Sequence, residues 1–458
     1  MLFADTRETL INFDLPARIT NLATKFTYNY DNKYFADAAL VYSGNDRLQP
    51  SHRFGWFYAG GAGWKISEEN FIKDNITWLS NLKLRAVYAY TGNSTNVGYY
   101  TYRKSYEDGQ SYLFGLQETN AVNGLRERNG LVTINATWEK ANKLNLGVDV
   151  GVFNNTLEFT ADYYHDRYFD ILTQRGNSTG IIGNTYPSEN IGIRLYQGAE
   201  FTLTYNNHVN KFNYFVTGNA SFEYSKNVYQ DEVQQLYPYN AVTGLPVNAL
   251  MGFQTKGLVQ TQDEANTWPT FNGYTLKPGD LKFVDINGDG VISDYDRVFI
   301  GSKKPTIYYG LTVGFNFNGF DFSMLVQGAF NNMYYSNDYT SSMNSNAQGY
   351  NRIIGRWTPE TAATATLPRL LMTGIFNVNN NYSDFWLRKN NYVRIKNAEI
   401  GYSLPSKWTK SFKVSSLRLF VNALNLVTFS QYGLVDPEVV GTAYPIQRVI
   451  NGGISLKL

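Results

Sequence analysis

Residues 285–296, DINGDGVISDYD, place oxygen-bearing groups at the spacing of a twelve-residue calcium loop. In such a loop the ligands at positions 1, 3, 5, 7, 9 and 12 converge on the ion because the chain wraps around it, and a glycine at position 6 allows the sharp turn. Gly290 stands at position 6. The candidate ligands are Asp285, Asn287, Asp289, the carbonyl of Val291, Ser293 and Asp296.

The candidate loop departs from the calcium pattern at its last position, where Asp296 replaces the usual glutamate. Neither flank has a clear helical pattern, so a complete EF-hand is not predicted. Two interpretations stay open: the loop binds Ca²⁺, or it is a tight turn rich in Asp, Asn and Gly that holds no metal. In both cases we expect it to stiffen a long loop over residues 227–305.

Residues suited to catalysis are few. The chain has no cysteine and three histidines, His52, His165 and His208, and none of the three has metal-ligand spacing or a nucleophile motif beside it. A glycine-rich phosphate loop is also missing from the sequence. The sequence therefore predicts a protein that is not an enzyme.

The strands that position these loops are clearest in residues 311–328, LTVGFNFNGFDFSMLVQG. Apolar and small or polar residues alternate on both sides of Asn318-Gly319, a dipeptide that favours a two-residue type I′ turn. That turn sets Phe317 opposite Phe320 and Leu311 opposite Val326. The hairpin then has one apolar face and one small or polar face.

A similar hairpin occupies residues 143–164, and its polar face includes Asp149, Glu158 and Asp162. With nine further alternating segments this gives about thirteen strands, most of them long enough to cross a membrane when tilted. The further segments are 19–30, 33–44, 53–65, 80–92, 196–206, 212–226, 390–402, 416–429 and 446–458. Short and long connections alternate along the chain, as they do between the two rims of an outer-membrane barrel.

Composition agrees with an all-β chain: Tyr, Phe, Asn, Thr and Gly are abundant, and aromatic residues make up 16%. A net charge of +2 gives no strong field for nucleic acid. No apolar run is long enough for a membrane helix. The first residues, MLFADTRETLINFDLPAR, do not form a secretory signal, so we expect either that the signal was removed or that the chain is a fragment starting inside a larger protein.

Aromatic residues also mark the strand ends and the long loops. Trp and Tyr near strand ends could form interfacial girdles, or be ordinary strand residues; the four are Trp56, Trp64, Trp386 and Tyr402. Three loop patches combine aromatic rings with amides and hydroxyls, at residues 97–106, 234–240 and 331–339. Such patches suit stacking on sugars or gripping peptides, and ordinary loop packing explains them as well.

Several segments together resemble the barrel of SusC/RagA-type TonB-dependent outer-membrane transporters of Bacteroidota. The most similar stretch is GDLKFVDINGDGVISDYDRVFIGSKKPTIYYGL at 279–311. Other similar segments are GWKISEENF (63–71), RWTPET (356–361), LPRL (367–370), SDFWLRKNNYVRIKNAEIGYSLPSKW (383–408) and SLRLFVNALNLVTFSQYGLVDPEV (416–439). The last strand differs from the pattern of this family at its final residue, which is Leu458 here and is usually aromatic.

The resemblance implies the fold and the partners. Such transporters have 22-stranded barrels with a plugged lumen, so residues 1–458 would be about thirteen of 22 strands, without plug, signal peptide or TonB box. Thirteen strands cannot close at that curvature, and we expect an open, curved antiparallel sheet with long extracellular loops. The implied function is uptake of oligosaccharides or peptides across the outer membrane of a Gram-negative bacterium, with a SusD-like surface lipoprotein and the TonB complex.

A second hypothesis from another class stays open. The chain could be a soluble or surface-attached all-β protein that binds glycans and carries a calcium-stiffened loop. It would differ from the membrane barrel in staying soluble without detergent.

Overall fold

The structure is a computed structural model. It describes residues 2–11, 15–114, 120–127, 131–176, 181, 186–336, 354–371, 377–409, 414–433, 436–439 and 444–457.

Strands dominate the described residues. The strands are β1 (Leu2–Ile11), β2 (Leu15–Tyr30), β3 (Tyr34–Asn45), β4 (Phe54–Lys65), β5 (Leu79–Asn93), β6 (Tyr106–Phe114), β7 (Asn120–Glu127), β8 (Glu139–Val152), β9 (Leu157–Gln174), β10 (Ser188–Val209), β11 (Phe212–Tyr229), β12 (Ala249–Gly252), β13 (Thr255–Leu258), β14 (Thr270–Phe271), β15 (Leu281–Phe283), β16 (Val291–Ile292), β17 (Val298–Ser302), β18 (Ile307–Phe317), β19 (Phe320–Phe330), β20 (Met333–Tyr335), β21 (Leu387–Lys389), β22 (Tyr392–Ser403), β23 (Ser416–Ser430) and β24 (Val449–Lys457).

Helices in the described residues are short and lie in the connections. The α-helices are α1 (Asn70–Lys73), α2 (Gln262–Thr267) and α3 (Ser406–Thr409). Single 3₁₀ turns occur at Pro50–His52, Ile66–Glu68, Pro238–Asn240, Asp294–Asp296, Val378–Asn380 and Asp384–Trp386. None of the helices in these ranges is long and apolar enough to cross a membrane.

The large sheet has fourteen strands in the order β1-β2-β3-β4-β5-β8-β9-β10-β11-β18-β19-β22-β23-β24, with the antiparallel pairing that the alternating pattern predicted. The prediction of about thirteen strands missed β1, whose residues, Leu2–Ile11, pair with β2. In this order β1 and β24 are the two edges, which agrees with the predicted open sheet.

The predicted register of the hairpin at 311–328 is confirmed. Phe317 lies opposite Phe320 and Leu311 opposite Val326, and Asn318 and Gly319 have φ of 48° and 88°, as a type I′ turn requires. The apolar face continues onto β22, where Tyr402 lies opposite Phe320. The turn chemistry is local, and it fixes which residues share a face for the whole length of both strands.

The chain divides into two compact units. The first comprises residues 1–200 and 224–233, and the second comprises 201–223 and 234–458. The first unit has a small core of its own beside the sheet, built from Leu48, Phe57, Val97, Ala136 and Trp138.

The second unit contains a larger core that lies in its long connections. The loop module, as it is called here, comprises residues 234–306 and the described parts of 332–391. Apolar side chains from both segments pack into one core. The buried members are Phe253, Leu258, Val259, Ala265, Phe271, Leu276, Leu281, Phe283, Ile292, Val378 and Trp386. Residues 234–305 of the predicted long loop thus belong to a folded module. Trp386 lies in this core, 1% exposed, so the interfacial girdle, one of the two interpretations left open for it, does not apply.

Candidate functional site

The polar face of the second unit carries a three-strand ion cluster near the tight-turn end of the sheet. Arg418 of β23 donates to Asp321 of β19 and to Glu399 of β22, with Arg418 Nη2 2.6 Å from Glu399 Oε1. A Cβ added to Gly401 would overlap the Arg418 guanidinium, so the glycine makes room for it. Because the three charges are partly buried and paired, they brace neighbouring strands without leaving an isolated charge.

The first unit has a matching cluster. Arg85 of β5 donates to Asp149 of β8 at 2.9 Å and to Asp162 of β9 at 3.1 Å. Here Gly147 makes the room, because a Cβ at that position would overlap both Arg85 and Asp162. Asp149 and Asp162 were predicted to share the polar face of their hairpin, and the structure confirms this. Their arginine partner is 64 and 77 residues away in sequence and was not predicted.

A third cluster lies at the long-connection end of β22 and is centred on Arg394, whose side chain is fully buried. Its Nη2 lies 2.7 Å from Asp436 Oδ1 and its Nη1 2.6 Å from Glu438 Oε2. Lys396 and Tyr392 also contact Glu438, at 3.2 and 3.0 Å. The cluster thereby ties residues 436–439, which lie outside the sheet, to β22.

A β-bulge at Lys396 places Arg394 on the polar face. Leu325 pairs with Asn397 and Val326 with Ile395, so Lys396 is the extra residue. Strict alternation from Ala398 would have put Arg394 on the apolar face, and one inserted residue reverses this. The signal was present in the sequence, because Ile395 and Ala398 are three residues apart instead of two.

In the loop module a buried carboxylate joins two distant segments. Asp280, which is 0% exposed, accepts hydrogen bonds from Arg369 Nε at 2.7 Å, Asn379 Nδ2 at 3.1 Å and Tyr274 Oη at 3.2 Å. Burial, and next the Asp280 charge, raise the pKa of Tyr274. Asp280 was not singled out from sequence, because nothing near residue 280 indicates which residues it would meet.

A second ion pair fixes α2 to the same module. Glu264 Oε1 accepts from Lys282 Nζ at 2.7 Å, and its Oε2 accepts from the backbone amide of Gln260 at 2.7 Å. The Gln260 amide, and then the Lys282 ammonium, hold the pKa of Glu264 below its usual value of 4.5. Ionised Glu264 therefore contributes to the docking of α2.

The candidate calcium loop is closed by its own side chains. The carboxylate of Asp285 accepts from the amides of Gly288 at 2.6 Å and Gly290 at 2.8 Å, and Asp289 accepts from Val291 N at 2.8 Å. Gly288 and Gly290 have φ of 77° and 84°, which explains why both are glycines. The side chain of Asn287 contributes in the same way and accepts from the amide of Asp289 at 3.0 Å.

The last predicted ligand, Asp296, is buried and turned toward the loop backbone. Its oxygens accept from the amides of Ile286 and Ser293, both at 2.8 Å, and Asp296 forms a capping box with Ser293. Within the described ranges, no group of three or more His, Cys, Asp or Glu side chains is placed to hold a metal. The donors are hard oxygens of the kind that Ca²⁺ takes, but in this arrangement they bind amides and stiffen the turn.

The aromatic patches differ in how they are used. At 97–106 three tyrosine rings and an arginine lie together at the surface of the first unit. In the patch at 234–240, Tyr237 stacks on Tyr239 with ring centroids 5.3 Å apart. In the patch at 331–339, Tyr335 packs against the loop-module core, and residues 337–339 lie outside the described part of the chain.

The histidines have ordinary polar neighbours. His52 Nδ1 lies 2.7 Å from Gln49 Nε2, and His165 Nδ1 lies 3.2 Å from Gln197 Oε1. The backbone amide of His208 donates to Asn207 Oδ1 at 2.7 Å. The described residues therefore bring none of the three next to a metal-ligand set.

No family model matches the chain. Curated proteins do: TonB-dependent receptor P3 of Formosa agariphila is 26% identical over 432 residues, which are 90% of this chain and 41% of the relative. TonB-dependent receptor SusC of Bacteroides thetaiotaomicron is 26% identical over an alignment of 473 positions, which covers 99% of this chain and 44% of the relative. The chain thus spans less than half the length of these relatives.

Solved structures show the same fold. A chain of the RagAB peptide importer in the closed-closed state superposes with a TM-score of 0.76 at 21% identity, and the match covers 96% of this chain and 48% of that one. The open-open state gives the same TM-score over 97% of this chain.

The fourteen-stranded antiparallel sheet, with its apolar and charged faces, matches the barrel fold of TonB-dependent receptors. The curated relatives confirm the resemblance to SusC/RagA-type receptors that was seen in the sequence. The relatives are receptors and not enzymes, which agrees with the prediction that this chain is not an enzyme.

Proposed function

We propose that the protein containing this chain imports oligosaccharides or peptides across the outer membrane of a Gram-negative bacterium, and that this chain supplies barrel strands and outer loops. The observation that carries the proposal is the superposition on the RagAB peptide importer over 96% of the chain. The similarity to SusC supports the same class of function.

The two faces of the sheet have different roles in this proposal. Exposed apolar residues such as Phe320, Ile400 and Val421 would face outer-membrane lipid. The face that holds the Arg85 and Arg418 clusters would line a wet lumen, because partly exposed ion pairs are costly in hydrocarbon.

The partners belong to the same proposal. A SusD-like surface lipoprotein would cover the loop module and the patch at 97–106, and the TonB complex would act on parts of the protein outside this chain. Nucleic acid is not a proposed partner, because the net charge is only +2.

A role for Ca²⁺ is proposed for the loop at 285–296 on the basis of its spacing. Asp285, Asn287 and Asp289, with the carbonyl of Val291, would hold the ion. Its contribution would be to add rigidity to a turn that the side chains already close.

The test is uptake by cells in which the gene has been deleted and then restored. Restored cells should accumulate a fluorescent oligosaccharide or a fluorescent peptide faster than deleted cells, and the protein should fractionate with the outer membrane and need detergent for extraction. The alternative, a glycan-binding protein that is soluble or attached to the surface, would be supported by extraction without detergent and by unchanged uptake.

A further inference from the structure

The apolar face of the first unit ends at a carboxylate in the turn between β4 and β5. Tyr34 and Trp64 lie opposite each other on that face, and Leu84 continues it beside Trp64. Glu69 Oε1, in the turn, accepts from Tyr34 Oη at 2.6 Å and from Trp64 Nε1 at 3.1 Å. Both rings therefore lie on the apolar face with their polar atoms toward the turn, and Glu69 marks the edge of the face.

The preceding glutamate belongs to the opposite face of the sheet. Lys65 lies opposite Lys83, on the face that carries the Arg85 cluster, and its Nζ is 2.9 Å from Glu68 Oε1. Lys73, the last residue of α1, donates to Glu68 Oε2 at 3.1 Å. The Lys73 side chain therefore lies toward the charged face.

Phe71 projects from the other side of α1. Successive residues of an α-helix are about 100° apart around its axis, so positions 71 and 73 lie on opposite sides. Phe71 thus lies toward the apolar face, on the side of Glu69 and Trp64. Its side chain is 59% exposed. Because contact with water is unfavourable for a phenyl ring, a surface that removes this ring from water would stabilise the contact.

The second unit has a similar feature in the turn between β22 and β23. This turn begins beside the Asn318-Gly319 hairpin, since Ser403 N donates to Gly319 O at 2.7 Å. In the first unit Lys65 N donates to Lys33 O at the same distance, beside the turn between β2 and β3. The turn after β22 also contains one helical turn, α3, where Trp408 is 59% exposed. An exposed aromatic ring thus occurs on a helical turn at the tight-turn end in each unit.

Phospholipid is the partner that fits the surface around Phe71. The adjoining apolar face meets lipid in the proposed function. Tyr34 and Trp64 present their rings to that face and their polar atoms to Glu69, as aromatic residues do at the head-group level of a membrane. Tight turns of outer-membrane barrels lie on the periplasmic side, where the leaflet consists of phospholipid.

We propose that Phe71 inserts into the phospholipid leaflet on the periplasmic side of the outer membrane, so that the turn over residues 66–78 lies in the head-group layer. This inference rests on the proposed function, which places the apolar face against lipid. It goes beyond that function because it assigns membrane contact to a segment outside the strands. If Phe71 instead docked a periplasmic protein, its position would be exposed to water in a bilayer that contains only lipid and this chain.

The test uses the full chain in vesicles of phosphatidylethanolamine and phosphatidylglycerol. Because the chain has no cysteine, Phe71→Cys provides a single site for a nitroxide spin label. Electron paramagnetic resonance measures collisions of the label with oxygen, which concentrates in hydrocarbon, and with a nickel chelate, which stays in water. The label at position 71 should collide more often with oxygen than with the chelate. Lys73→Cys, on the opposite side of the same helical turn, is the matched control and should show the reverse.

Leu84→Cys separates this inference from the function on which it rests. A label there should lie in hydrocarbon, because Leu84 continues the apolar face beside Trp64. If the label at position 84 lies in hydrocarbon while the label at position 71 is as exposed to the chelate as the one at 73, the inference is overturned and the proposed function stands. A water-exposed label at position 84 would overturn the lipid-facing assignment itself, and the inference with it.

Discussion

Arg369 and Asp280 lie 89 residues apart in sequence, yet Arg369 Nε is 2.7 Å from Asp280 Oδ1 inside the loop module. The carboxylate is fully buried and the guanidinium is 21% exposed. This contact joins the long connection before β18 to the one before β22. It explains why two segments that look irregular in sequence form one folded body.

Removing the Asp280 carboxylate should therefore loosen the whole module. Asp280→Ala leaves Arg369, Asn379 and Tyr274 without their common acceptor, and a broken buried pair costs about 3 kcal/mol. We expect faster hydrogen exchange over residues 354–371 and 377–390, measured by mass spectrometry. Asp263→Asn, at an exposed position on α2, is the control, and equal protection in both variants would contradict the argument.

Arg394 should be needed to hold residues 436–439 against β22. Arg394→Met removes the cation that Asp436 and Glu438 share and leaves only Lys396 beside Glu438, so this segment should detach and exchange faster. The exposed Arg448→Met should have no such effect. Adding Glu438→Gln to Arg394→Met should recover part of the protection, and a double variant as exchangeable as the single one would count against charge pairing as the cause.

The bulge at Lys396 gives a prediction about register. Deleting Lys396 removes the bulge. The part of β22 before the deletion must then either turn Arg394 to the apolar face or shift its pairing with the neighbouring strands by one residue. We expect the free energy of unfolding to fall by more than about 4 kcal/mol. Urea titration in micelles measures this change. Lys396→Ala keeps the residue count and should cost far less. Similar losses in both variants would show that the side chain, and not the register, matters.

Acidification should weaken the docking of α2. The pKa of Glu264 is lowered in the folded state, so its stabilising effect is complete above about pH 4.5 and is lost as pH falls through the lowered value. Protection of residues 260–267 should fall below pH 4.5 in the wild type. Glu264→Gln should already lack this part of the protection at pH 7 and change less on acidification, whereas Asp263→Asn should behave like the wild type.

Calcium binding at 285–296 can be tested with one double variant. If the loop takes Ca²⁺, calorimetry should detect binding to the wild type, and Asp285→Ala with Asp289→Ala should abolish it, because both lost carboxylates are proposed ligands. Asp294→Ala removes an exposed carboxylate of the same loop that is not a proposed ligand. Unchanged affinity in the double variant would show that the ion, if bound, lies elsewhere.

Much of the sheet follows from the sequence alone, for a physical reason. Alternation with period two and an Asn-Gly turn act between neighbouring residues, so the pairing of Phe317 with Phe320 could be derived without coordinates. The Asp285 and Asp289 turns were also predictable, since their hydrogen bonds span five residues or fewer. Strand β1 was missed, and the burial of Trp386 in the loop-module core was not foreseen.

Only the tertiary structure decided which distant residues meet. Arg85 with Asp162, Arg394 with Glu438 and Arg369 with Asp280 are pairs from separate segments, and no local pattern specifies a partner more than forty residues away. The loop-module core likewise combines apolar residues from two connections, such as Phe283 from the first and Trp386 from the second. The sequence thus determined most of the strands and the resemblance to TonB-dependent receptors, and long-range packing decided how the charges and loops are arranged.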